Sequence, residues 1–70
     1  MIMYNKIIQS RFITELNTYP IINEKPSLDS VLELRHKIGW GCYDCKLLMQ
    51  RAKTTDDAIR ILNWVIRDIN

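Results

Sequence analysis

Leu34-Arg35-His36-Lys37-Ile38-Gly39-Trp40-Gly41-Cys42-Tyr43-Asp44-Cys45-Lys46 is the stretch on which the fold turns. It reads as a helix stopped at Gly39, reversed through Gly41 and restarted on an Asp-Cys-Lys helix. Two glycines one residue apart permit positive φ and close backbone approach, so two short helices can cross tightly. Before it, Ser27 or Asp29 can start a helix, with Leu28, Val31, Leu34 and Ile38 expected inward. After it, a helix is expected over residues 42–53, with Cys45, Leu48, Met49 and Ala52 at core spacing.

The flanks extend the same pattern. Tyr4, Ile7, Ile8, Phe12, Leu16 and Tyr19 recur at three- and four-residue steps and predict an amphipathic helix over 3–18. Pro20 ends it, and Pro26 keeps helix out of the connector at 19–27. Thr54-Thr55-Asp56-Asp57 offers a hydroxyl cap followed by carboxylates that suit a helix N-terminus. The helix beyond it has the cleanest period in the chain: Ala58, Ile61, Leu62, Val65, Ile66 and Ile69. With no strand-like alternation, repeat or low-complexity tract, the reading is all-α, four helices in one small domain spanning 1–70.

Composition narrows the class. The apolar fraction of 47% is that of a globular chain, and a net charge of +2 commits it to no class of partner. Residues 31–53 carry five basic and two acidic side chains, so the basic excess surrounds the glycine turn. No span approaches the roughly 18 consecutive apolar residues of a membrane helix. The N-terminus lacks the pattern of a secretory signal, and the expected compartment is the cytoplasm, where Cys42 and Cys45 stay reduced.

The motif and the helix after it resemble the N-terminal domain of bacterial elongation factor Ts, a three-helix bundle of the ubiquitin-associated (UBA-like) type. That family reads roughly Leu-Arg-x-x-Thr-Gly-x-Gly-x-x-Asp-Cys-Lys, then an Ala-rich helix, an acidic turn and an Ala-Ile pair. Leu34, Arg35, Gly39, Gly41, Asp44, Cys45, Lys46, Ala52 and Ala58-Ile59 fit it. Ile38 replaces the family threonine, and the turn at 53–57 is one residue shorter. A similar glycine turn occurs in the C-terminal domain of the ribosomal stalk protein. The likeness covers about residues 28–64 and implies a UBA-like bundle over 28–70, preceded by a 20–27 connector and an added N-terminal helix over 1–19. The large exchange domain that follows in that family has no counterpart here, so nucleotide exchange is not expected.

Chemistry is sparsely represented. Cys42 and Cys45 form a Cys-x-x-Cys pair, but a zinc site needs a third and fourth ligand, and only His36 and Asp44 or a second chain are to hand. A redox pair is the other reading, without the βαβ context that normally accompanies it. The resemblance makes Cys45 a small core residue, the leading reading. His36 lies on the polar side of its helix, with no nucleophile or orienting carboxylate patterned around it. Gly39-x-Gly41 follows a helix rather than a strand and has no third glycine, so it is no phosphate loop. An enzyme, a metal and a cofactor are all not expected.

Trp40 either folds over the helix crossing or stands exposed as an anchor of the type enriched at interfaces. The resemblance implies partner contact through the turn and the adjoining end of the last helix. The expected surface comprises Gly39, Trp40, Gly41, Cys42, Tyr43, Lys46 and Trp64, with Leu47 and Ile59 also off the core stripes. The leading expectation is a small non-enzymatic protein-binding module: a regulator or inhibitor, such as a phage or mobile element encodes, acting through residues 39–43. The candidate partner is elongation factor Tu or another GTPase. The alternative is a nucleic-acid-binding helix-turn-helix in which the 42–53 helix presents Lys46, Gln50, Arg51 and Lys53 to a major groove. The tryptophan in the turn, Asp44 at the helix start and the low net charge weigh against it.

Overall fold

A computed structural model describes residues 6–69, and side chains from Ser10 to Ile69. It contains four helices: α1 (Lys6–Leu16), α2 (Leu28–Ile38), α3 (Cys42–Met49) and α4 (Thr55–Ile69). Among the described residues there is no strand, and no helix is long and apolar enough to cross a membrane. The all-helical reading with four helices therefore holds. Residues 3–5 of the expected first helix, with Tyr4, lie outside the described residues.

Most of the helix boundaries have a local cause. Helix α1 ends two residues early because its last carbonyls are captured by tighter bonds. Thr18 donates both its amide and its hydroxyl to Glu15 O, and Tyr19 N–H bonds Leu16 O. Ser27 caps α2, its Oγ accepting from Ser30 N–H at 3.2 Å. Asp29 sits in the first turn and Arg35, His36 and Lys37 in the last, the arrangement that the helix dipole favours. Thr54 Oγ1 accepts from Asp57 N–H at 3.2 Å and opens α4, as its hydroxyl and carboxylates predict.

Helix α2 stops at Gly39, whose φ of +74° is left-handed and whose N–H bonds Arg35 O at 2.8 Å. Gly41 has φ −65° and ψ 157°, open to any residue. A Cβ at either position would meet nothing within 4 Å. The expected close backbone approach is therefore absent, and only the conformation of Gly39 requires glycine.

Helix α3 ends at Met49 and not at residue 53. Two connector amides, Ile22 N–H and Asn23 N–H, both donate to Gln50 O, at 2.9 and 3.0 Å. Arg51 N–H and Ala52 N–H then tighten onto Leu48 O and Met49 O. The carbonyl of Leu47, left by this change, accepts from Arg51 Nη1 at 2.9 Å. Gln50 Nε2 also reaches Glu24 O at 3.0 Å. The connector is thus stitched to the end of α3.

Helices α2, α3 and α4 pack on one another, and α1 lies against α4 and α3 without meeting α2 among the described residues. The core holds Phe12 and Leu16 of α1, Val31 and Leu34 of α2, Cys45, Leu48 and Met49 of α3, and Ala58, Ile61, Leu62 and Val65 of α4, with Trp40 and Ala52 from the turns. Ile38, Ile66 and Ile69 are half-buried against it. Leu28 corrects the expected core: it is 70% exposed. At the first helical position it lies at the rim of the bundle, beside Val31 one turn on but outside the core that Val31 and Leu34 enter.

The two glycines are predicted to respond oppositely. Gly39→Val should lower stability by roughly 1–3 kcal/mol, since a β-branched residue is strained at positive φ. Gly41→Ser should leave stability unchanged or raise it by a few tenths of a kcal/mol, because serine caps at least as well as glycine there. Urea denaturation of both variants checks this, and a Gly39→Val protein as stable as wild type would contradict the cap assignment.

Candidate functional site

The turn between α2 and α3 divides its residues between core and surface. Trp40, set between the two glycines, is folded inward and only 3% exposed. Its ring meets Phe12 of α1 edge-on, with centroids 4.9 Å apart and planes at 68°. Cys45 Sγ donates weakly to Trp40 O at 3.7 Å. The expectation that Trp40 anchors a partner is therefore corrected: the shortness of the turn and the left-handed Gly39 bring the indole under the bundle. Trp40 is a core residue.

Asp44, too, is buried, in the first turn of α3 where a carboxylate suits the helix dipole. Cys45 is fully buried, and its thiol is pushed from an ordinary 9.0 up to about 11, first by burial and then by Cys42 and Asp44 beside it. It is held as the thiol, which is neither a nucleophile nor a metal ligand. Cys42, its Cys-x-x-Cys neighbour, is exposed, and both cysteines are free. Among the described residues no group of three His, Cys, Asp or Glu side chains is placed to hold a metal. His36 is exposed and shares a shallow depression with Leu32, Arg35 and Gly39.

What the turn leaves on the surface is Cys42, Tyr43 and Lys46, successive outward positions of α3. Together with Pro26, Leu28 and Val31 they line a groove of about 410 Å³ between the start of α2 and α3. Its rim is unusually apolar for exposed surface: Tyr43 is 64% exposed opposite Leu28. Trp64, the last member of the expected surface, lies elsewhere. It lines a second groove of about 350 Å³ with Ile22, Arg51, Ala52, Lys53, Asp57, Arg60 and Ile61. The two grooves have no residue in common. Leu47 and Ile59 are partly buried against the core.

No family model, curated protein or solved structure matches this chain.

Function is thus to be read from the residues themselves, and the helix-turn-helix expectation fares poorly by that measure. Of its four readout residues, Arg51 is nearly buried and hydrogen-bonded to three oxygens: Tyr19 O, Leu47 O and Asn17 Oδ1. Gln50 is committed to Glu24. Both lie beyond the end of α3, as does Lys53, leaving Lys46 alone on the helix. Of the four expected readout residues, α3 itself therefore presents Lys46 alone, beside Cys42 and Tyr43.

Sequence reasoning missed the α2–α3 groove because it assigned Leu28 to the core. It also missed the second groove, although Asp57, Arg60, Ile61 and Trp64 stand at i, i+3, i+4 and i+7 and share one side of α4. Arg51 and Ile22, from other elements, complete that groove.

The two cysteines are predicted to differ sharply in reactivity. Iodoacetamide near pH 8 should alkylate Cys42 alone, and Cys45 only once denaturant is added; equal rates in the native protein would contradict the burial of Cys45. Because its thiol pKa is raised in the fold, the stability contributed by Cys45 is complete below about pH 9 and is lost as pH rises toward about 11. Comparing wild type with Cys45→Ala across that range isolates its share from that of Tyr19, whose pKa is also raised, chiefly by burial.

Proposed function

We propose that this chain is a non-enzymatic protein-binding module, a regulator or inhibitor that acts by contact through the α2–α3 groove beside the glycine turn. The observation that carries this reading is the exposure of Leu28 and Tyr43 across one groove, with Lys46 at its edge. Exposed apolar side chains gathered beside a cation mark an interaction surface. The occupant that fits is a short segment of a partner protein, apolar at its centre with an acidic residue to meet Lys46.

The UBA-like assignment belongs to the same proposal. In its support, the glycine turn joins two short helices that pack with a longer third one, and the sequence likeness to the elongation factor Ts N-terminal domain runs through that turn. On that likeness the candidate partner is elongation factor Tu or another GTPase, bound without accelerated nucleotide release. Trp40 moves from the proposed contact set to the support beneath it, and Gly39 and Gly41 shape the turn. Cys42, Tyr43 and Lys46 remain, joined by Leu28.

The test is capture of partners from host lysate by wild type and by a Leu28→Ser/Tyr43→Ala double variant, both positions being exposed enough to leave the fold intact. A partner held by wild type and lost, at least tenfold in yield, by the double variant is the expected outcome. A partner retained in full by a folded double variant would move the interface off this groove. Calorimetry with purified elongation factor Tu, with a nucleotide-release assay, decides the named candidate: absence of binding at tens of micromolar removes it.

A further inference from the structure

The second groove has a different chemistry. Its inner wall is Arg51, 8% exposed, whose guanidinium is positioned by three neutral oxygens. Nε donates to Tyr19 O at 3.3 Å, Nη1 to Leu47 O at 2.9 Å and Nη2 to Asn17 Oδ1 at 3.3 Å. No carboxylate among the described residues pairs with it; the described ion pairs are Lys37 with Asp56 and Arg60 with Asp57. Burying a charge without a counter-charge is unfavourable, and burial here lowers the pKa of Arg51 with no carboxylate opposing it. The three bonds fix the fork in place and leave two of its five N–H groups unassigned. A preorganised guanidinium of this kind matches carboxylate or phosphate oxygens.

The outer wall adds two more cations, Lys53 and Arg60, and one anion, Asp57, which sits 3.9 Å from Arg60. The groove therefore carries a net charge of +2 from these four side chains. Beside the charges lie apolar surfaces: Trp64, 44% exposed, with Ile22, Ala52 and Ile61. A volume of about 350 Å³ is at the lower end for a ligand site and accommodates one anionic group on a body the size of a single ring. Asp57 disfavours a ligand with several phosphates.

We propose that the groove between the end of α3 and α4 binds an organic anion, a single carboxylate or phosphate carried on an aromatic or aliphatic body. The anion engages Arg51, Lys53 and Arg60, and the body lies against Trp64 and Ile22. The site is separate from the α2–α3 groove and does not depend on what binds there.

Nuclear magnetic resonance titration at low salt tests this with phenyl phosphate and phenylacetate, which differ in the anion, and with benzyl alcohol, which keeps the ring without the charge. The reporters are the Trp64 indole N–H and the Arg51 Nε–H. Both anions should shift these signals saturably, and whichever binds more tightly names the preferred oxyanion. Benzyl alcohol should bind at least tenfold more weakly. A Lys53→Gln/Arg60→Gln variant, altered only at exposed positions and checked for folding by circular dichroism, should lose at least tenfold in affinity for both anions. Trp64→Leu should weaken phenyl phosphate while leaving inorganic phosphate unchanged. Equal binding of benzyl alcohol, unchanged affinity in the folded double variant, or shifts confined to Leu28 and Tyr43 would each overturn the proposal.

Discussion

The edge-on packing of Trp40 against Phe12 is the contact on which the rest of this small structure depends. Trp40 lies in the turn between α2 and α3, and Phe12 lies on α1, so one aromatic pair ties α1 to the turn that follows α2, the helix that α1 does not meet among the described residues. Gly39, in its left-handed conformation, reverses the chain immediately before Trp40, which enters the core. The thiol of Cys45 beneath Trp40 O, and the burial of Asp44 beside it, follow from the same reversal. A chain of this length buries a modest fraction of its surface, so one large aromatic residue weighs heavily in its stability.

A second joint complements the first. Gln50 and Arg51 end α3 and tie it to the connector and to the end of α1, using neutral carbonyls rather than ion pairs. The exposed ion pairs are long and surface-screened and contribute little. The consequence for function is that the ends of α1 and α3 are drawn together at one side of the molecule. There the buried Arg51 and the exposed Trp64 line the second groove. The glycine turn leaves Tyr43 and Leu28 outward at the other groove. Core packing and surface chemistry are thus produced by the same two joints.

Much of this was legible in the chain. The stop at Gly39, the serine and threonine caps and the stripe from Ala58 to Val65 depend on neighbours within one helical turn, where spacing is informative. What was not legible depended on distant partners. The end of α3 is set by amides at Ile22 and Asn23, nearly thirty residues upstream, and nothing in the 42–53 spacing signals them. Arg51 looked like an outward cation because its acceptors at Tyr19 and Asn17 lie on another element. Leu28 fits an inward period equally well from either side of a short helix. Of the expected contact surface, Tyr43, Cys42 and Lys46 gather in one groove, whereas Trp40 turns inward and Trp64 belongs to the other groove.

Trp40 is the structural keystone of the bundle. The most direct test of this role is a double-mutant cycle on stability, using Phe12→Leu, Trp40→Leu and the two together, measured by urea denaturation. The predicted result is a coupling of about 0.5–1.5 kcal/mol, with each single variant destabilised by more than 1 kcal/mol. Additive effects within about 0.3 kcal/mol, or a Trp40→Leu protein as stable as wild type, would contradict the claim that this contact holds α1 to the turn.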